Sequence, residues 1–158
     1  MTRSASSNEF ERRLLNNIAE YGWHCNSISA EDGEPGFTYT VGLFHSFGHP
    51  ELLVIGLAPK AAHGVLGVAA KAAAEGKPFD MAAPTSELLN GYSAVFVAVP
   101  SSEYENYVLS ALWFYEGAQF PLYQVVWPSA QGYFPWHPEA TDDFKFRQPV
   151  LGAYAGIA

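Results

Sequence analysis

Two imidazoles and a carboxylate crowd one short stretch, His45, His49 and Glu51, with Gly48-His49-Pro50-Glu51 setting the last two side chains two positions apart. An imidazole titrates near neutral pH, so His49 could carry a proton while Glu51 orients its ring or serves as a second acid or base. These two are the candidate catalytic residues. The plainer alternative has both of them fixing a turn and facing water. Together with His45 they also form a ligand set found at catalytic zinc and non-heme iron sites. The spacing speaks against a metal: a four-residue interval aligns two histidines on a helix, whereas Gly48 and Pro50 predict an extended loop.

A second group combines polar and aromatic side chains. Tyr39 and Thr40 precede the histidine loop, and Gln124-Val125-Val126-Trp127-Pro128 leads toward Phe134-Pro135-Trp136. Trp127 and Trp136 could wall an apolar pocket, with Gln124 supplying one donor and one acceptor and Thr40 helping to orient a ligand. Burial in an ordinary core is the competing role for such aromatics. Cys25, the single cysteine, cannot pair with His24 beside it, because neighbours on a strand point to opposite faces. His63 or His137 could meet it only through the fold, and a lone cysteine commonly serves as a small buried hydrophobe. Ser101 and Ser102 read as helix caps. The chain has no Gly-x-Ser-x-Gly elbow, dinucleotide fingerprint or Walker motif, so a nicotinamide, flavin or ATP cofactor has no positive support.

The elements that must position these residues follow from periodicity. Ser6 and Glu9 read as a capping box opening a helix that buries Phe10, Leu14, Leu15 and Ile18 and stops at Gly22. A strand over 23–29, a turn through Glu31-Asp32-Gly33-Glu34-Pro35-Gly36 and an alternating strand over 37–43 predict a hairpin. The fully apolar Leu52-Leu53-Val54-Ile55 predicts a covered central strand. A helix then runs from Pro59 to about Glu75, a strand over 93–99, a helix from about Ser102 to Tyr115, and a last strand over 122–127. The order predicts an α+β fold in one domain, with a mixed, largely antiparallel sheet of about five strands and helices packed mainly on one face. Residues 1–8 are expected to be a flexible N-terminus, 9–143 the domain, and 144–158 a loosely docked C-terminal tail.

Sixteen acidic against eight basic side chains give a net charge of -8, without a basic run, which argues against nucleic acid. The chain holds no apolar stretch of membrane-spanning length, and Met1 to Asn8 lacks a hydrophobic signal core. One cysteine excludes an internal disulfide, and a cytoplasmic protein is expected. Charged residues make up only 15% of the chain, leaving neutral surface for a homo-oligomer or a broad cleft.

Tyr39-Thr40-Val41-Gly42-Leu43, Gly48-His49-Pro50-Glu51 with Gly56-Leu57, and Gln124 to Trp127 with Phe134-Pro135-Trp136 resemble the signature of a bacterial family catalogued as domain of unknown function 4262. The opening Tyr21-Gly22-Trp23 is similar too, so the resemblance spans roughly 21–136. It implies a small stand-alone bacterial domain and brings no substrate. What it carries over is Tyr39, Thr40, His49, Glu51, Gln124, Trp127 and Trp136 as a shared site. The pattern has an acidic residue after Trp127-Pro128 where this chain has Ser129. The expected function is binding of a small molecule at one pocket formed by these residues, with hydrolytic or lyase-like chemistry as an extension. A noncatalytic interaction or immunity-type module is one alternative, and a metal-dependent enzyme using His45, His49 and Glu51 the other.

Overall fold

A computed structural model describes residues 1–155. Helix α1 (Glu9–Tyr21) starts two residues later than the spacing of Ser6 and Glu9 suggests. Asn8 caps it by accepting from the Glu11 amide at 2.8 Å, and Glu11 in turn accepts from the Ser7 amide and hydroxyl. Gly22 ends it at φ 90°, a left-handed conformation that glycine adopts without penalty. Strands β1 (His24–Ile28) and β2 (Phe37–Val41) form the expected hairpin. The segment after them is not a loop. It forms a one-turn helix, α2 (Leu43–Phe47), before β3 (Glu51–Ile55).

Helix α3 (Pro59–Ala74) leads to β4 (Thr85–Leu89) and β5 (Tyr92–Ala98). Strand β4 escapes sequence reading because Thr85-Ser86-Glu87 is polar, as suits an edge strand with an irregular register. The single helix expected after Pro100 is broken into a 3₁₀ turn (Ser101–Glu103), α4 (Tyr104–Tyr107) and α5 (Leu109–Tyr115). At the break, the Ser110 amide donates to the Tyr39 hydroxyl at 3.0 Å rather than to a carbonyl one turn back. Strand β6 (Leu122–Val126) and α6 (Asp142–Arg147) complete the order.

The fold is α+β with one mixed sheet of six strands, ordered β1-β2-β3-β6-β5-β4. Only β3 and β6, the central pair, run parallel, joined by a crossover that includes α3. Side chains alternate between two cores, as the pleat requires. Leu53, Ile55 and Leu122 meet Leu14 and Ile18 of α1 and Ala111 and Phe114 of α5 on one face. Leu52, Val54, Phe96 and Val125 meet Ala62, Leu66 and Ala69 of α3 on the other. Helices therefore cover both faces, and α3, the longest, occupies the one that the sequence reading left open.

Residues near both ends of the described chain hydrogen-bond to the body of the fold. The Arg3 amide and Nε donate to the carbonyls of Phe114 and Trp113, each at 2.8 Å. In α6, Thr141 caps through the Phe144 amide and Phe144 is buried. Gln148 is fully buried, accepting from the Trp127 amide at 3.0 Å and donating to its carbonyl at 2.7 Å. Gln124 does the same for the chain beyond, donating to the Pro149 carbonyl and accepting from the Leu151 amide. Residues 144–151 thus belong to the folded unit. Of the expected tail, residues 156–158 lie outside the described residues. No helix among the described residues is long and apolar enough to cross a membrane.

Gln148→Ala strands the Trp127 amide and carbonyl in an apolar setting, and a lost buried partner costs about 1–3 kcal/mol. Urea unfolding should show a loss of roughly 2–3 kcal/mol by that rule, with faster hydrogen exchange over 144–151.

Candidate functional site

Glu51 opens β3 with its side chain wholly buried. The Thr40 hydroxyl donates to Oε1 at 2.7 Å and the Leu43 amide to the same oxygen at 3.2 Å. The Gly42 and Phe44 amides donate to Oε2 at 2.9 and 3.2 Å, and the Tyr115 phenol also donates to it. Each hydroxyl also accepts from a backbone amide, Thr40 Oγ1 from Leu52 and Tyr115 from His45, while its own proton is directed to Glu51. Burial pushes the Glu51 carboxyl above the ordinary 4.5 while the Tyr115, Thr40, Phe44 and Gly42 donors pull it down. With every partner donating, the ionised form fits the geometry. Burial, and then the charge of Glu51, push the Tyr115 phenol well above its ordinary value.

These amides are the first of α2, the orphan donors of a helix start. A five-residue helix does not persist alone in water, so the Glu51 carboxylate supplies the cap that lets it form. Glu51 thus holds the start of α2, and its side chain has no surface open to solvent. The His45 side chain is exposed against the edge of Phe114, and among the described residues no three His, Cys, Asp or Glu side chains come together to hold a metal.

His49, next to this knot, behaves differently. Its Nδ1 lies 2.7 Å from the Pro50 carbonyl, which can only accept, so Nδ1 carries the proton. In the neutral ring Nε2 is then an acceptor, and it is the one buried side-chain polar atom without a partner among the described residues. The ring is 5% exposed and lines a hollow of about 240 Å³ with Phe47, Pro50, Ala73, Pro78, Phe79 and Met81. Burial holds the imidazole below its ordinary 6.5, against the opposing Pro50 carbonyl, which favours the neutral acceptor.

The other expected site residues sit elsewhere. Tyr39 is buried in the α1/α5 core, its hydroxyl accepting from Asn26 and from the Ser110 amide. Trp127 donates from Nε1 to the Ile55 carbonyl at 2.9 Å, at the far end of β3 from His49. Four residues of strand separate Glu51 from Ile55, roughly 13 Å at the rise of a β-strand. Gln124 spends its amide on the C-terminal segment, and Trp136 is stacked between Phe134 and Tyr154. The single pocket expected from the sequence is therefore not formed. Thr40, His49 and Glu51 gather at one end of β3, Trp127 lies at the other, Gln124 holds the C-terminal segment, and Trp136 lines a separate cleft.

Cys25 is half-buried, and burial pushes its thiol up to about 11, far from a reactive thiolate. His24, His63 and His137 are engaged with Asn17, Trp23 and Tyr133 respectively. Sequence reading missed Tyr115 and Gln148. Tyr115 falls on an apolar helical face and Gln148 in a polar tail, and nothing local marks either as a buried hydrogen-bonding group.

A mixed α+β sheet with a buried carboxylate holding a one-turn helix beside an orphaned imidazole defines the architecture. The chain belongs to the family described as Domain of unknown function (DUF4262), whose profile matches residues 17–141. No curated protein and no solved structure matches it significantly.

Glu51→Gln places an amide N–H₂ among five donors, so at least one donor loses its acceptor. Charged hydrogen bonds contribute about 1.5–3 kcal/mol each, and urea unfolding should register a loss of roughly 3 kcal/mol or more; unchanged stability would refute the capping role. For His49, ¹⁵N NMR at pH 7.5 should show a protonated Nδ1 and a bare Nε2. Its folded pKa lies below the unfolded 6.5, so the unfolded chain binds protons first as pH falls. Stability should thus decline from pH 7 through about 6.5 and level off below the folded pKa. His49→Asn should reduce that slope, with His24, also lowered by burial, accounting for a remainder.

Proposed function

We propose that this protein binds a small molecule in the hollow beside His49, a compact and largely apolar ligand carrying one hydrogen-bond donor for Nε2. The observation that carries the reading is the unpartnered, buried Nε2 of a ring that lines a hollow whose other side chains are all apolar. A buried acceptor left unpaired costs about 1–3 kcal/mol, and a ligand donor recovers that cost. The volume, about 240 Å³, is below the roughly 300–1,000 Å³ of sites for drug-sized ligands, which favours a small one.

The lining offers no second acid, nucleophile or side-chain donor to act with His49. Hydrolytic or lyase chemistry requires such a partner, so the residues favour binding over catalysis. The interaction-module reading draws on Phe10, Tyr21, Val68, Leu109 and Phe146, apolar side chains exposed on four different helices. A concave site with an orphan acceptor supports the ligand-binding reading more directly.

Phenol and p-cresol, which pair an apolar body with one O–H, are suitable first probes. Saturating probe should raise the unfolding temperature, since a ligand that binds only the folded state stabilises it by mass action. His49→Asn keeps a polar group at the position of Nδ1 but removes Nε2, and should weaken binding about tenfold, which equals 1.4 kcal/mol. No shift with either phenol, or equal shifts in wild type and variant, would refute the assignment.

A further inference from the structure

A separate cleft, of about 560 Å³, is lined by Pro135, Trp136, Lys145, Gln148, Val150, Gly152 and Tyr154. Its size lies within the range of sites that enclose a small organic ligand. Five of these residues follow position 141, where the family match ends, so the cleft is a feature of this chain's C-terminal segment.

The floor is rigid. Gln148 is held by both backbone groups of Trp127, and Gln124 clamps Pro149 and Leu151 on either side of Val150. Gly152 lies so close to β5 that a Cβ there would stand 2.1 Å from the Ala98 carbonyl oxygen. The wall is aromatic: Trp136 stacks between Phe134 and Tyr154 at ring-centre distances of 5.2 and 5.1 Å, with interplanar angles of 11° and 15°. Such a stack fixes ring orientation before any ligand arrives, which lowers the entropic cost of binding.

The chemistry of the lining selects the ligand. The Lys145 ammonium, the Trp136 indole N–H and the Tyr154 phenol have no hydrogen-bond or ion-pair partner among the described residues, and the lining contains no carboxylate. A donor-bearing cleft with one cation, in a chain of net charge -8, is a local reversal of the protein's overall charge. Val150, Pro135 and the Tyr154 ring supply apolar contact beside it. We infer that this cleft is a binding site for a small organic anion, its charged group at Lys145 and the indole N–H and its apolar body against Tyr154, Val150 and Pro135. It is independent of the hollow at His49.

The test uses 2-naphthoate as the anion and 2-naphthylmethanol as its neutral counterpart, titrated into the full chain and followed by calorimetry and by the Trp136 indole N–H signal in ¹H–¹⁵N spectra. Naphthoate should move that signal and bind at least tenfold more tightly than the alcohol, with affinity falling as salt is raised. Lys145 is exposed, so Lys145→Met should fold normally. That variant should lose the preference for naphthoate while still binding the alcohol, and His49→Asn should leave both titrations unchanged. An unmoved Trp136 signal, or a preference for naphthoate that survives Lys145→Met, would overturn the proposal.

Discussion

Everything at the histidine end of the sheet depends on one buried carboxylate surrounded by donors. Glu51 belongs to β3, Thr40 to β2, the amides of Gly42, Leu43 and Phe44 to the start of α2, and Tyr115 to the end of α5. Three other pieces of the chain therefore converge on its two oxygen atoms. Burying a charge is costly unless it is paired or fully hydrogen-bonded, and here the second condition is met by groups that would themselves be orphaned without it. The benefit is mutual: the helix start gains an acceptor for its free amides, and the carboxylate gains the donors that make burial tolerable. His49 is aligned as a consequence, since it sits between the helix so fixed and the strand that Glu51 opens.

The same economy operates at the opposite edge of the parallel pair. Two buried glutamines, Gln124 and Gln148, satisfy backbone groups that the sheet cannot reach once β6 has ended. They fasten the C-terminal segment over Val95, Val97 and Val126, where Phe134, Val150 and Tyr154 complete a third small core. Polar side chains that could be mistaken for ligand-binding groups are here structural fasteners, and the distinction lies in whether their atoms are already paired. Gln124 is paired at both ends. The Nε2 of His49 is not, which is why the functional reading rests on it.

The three motifs by which the chain resembles its family thus serve different purposes. Tyr39-Thr40-Val41-Gly42-Leu43 and Gly48-His49-Pro50-Glu51 form one unit around the carboxylate, whereas Gln124 to Trp127 fasten the C-terminal segment and Trp136 lines the C-terminal cleft. Placing them in one pocket from sequence overlooked the direction of the strands. Because β3 and β6 are parallel, the histidine at the entry of one and the tryptophan at the exit of the other are held at opposite ends.

By itself the sequence determined the elements whose periodicity is strong: α1, the β1–β2 hairpin, the fully apolar β3, the helix after Pro59, β5 and β6, and from their order an α+β fold with a mixed sheet. It also named Thr40, His49 and Glu51, though within one larger site that included Tyr39, Gln124, Trp127 and Trp136. Local pattern could do this because amphipathic period and turn chemistry are properties of neighbouring residues. Only the tertiary structure decided that the loop after Gly42 is a helix, that the helix after Pro100 breaks at Val108, and that the polar segment around Gln148 is buried. Each of these turns on a hydrogen-bond partner supplied from a distant part of the chain: Glu51 for the α2 amides, Tyr39 for the Ser110 amide, Gln148 for the Trp127 backbone. The roles of Glu51 and His49 separated for the same reason, since pairing status depends on what the fold brings within 3 Å and not on residue type.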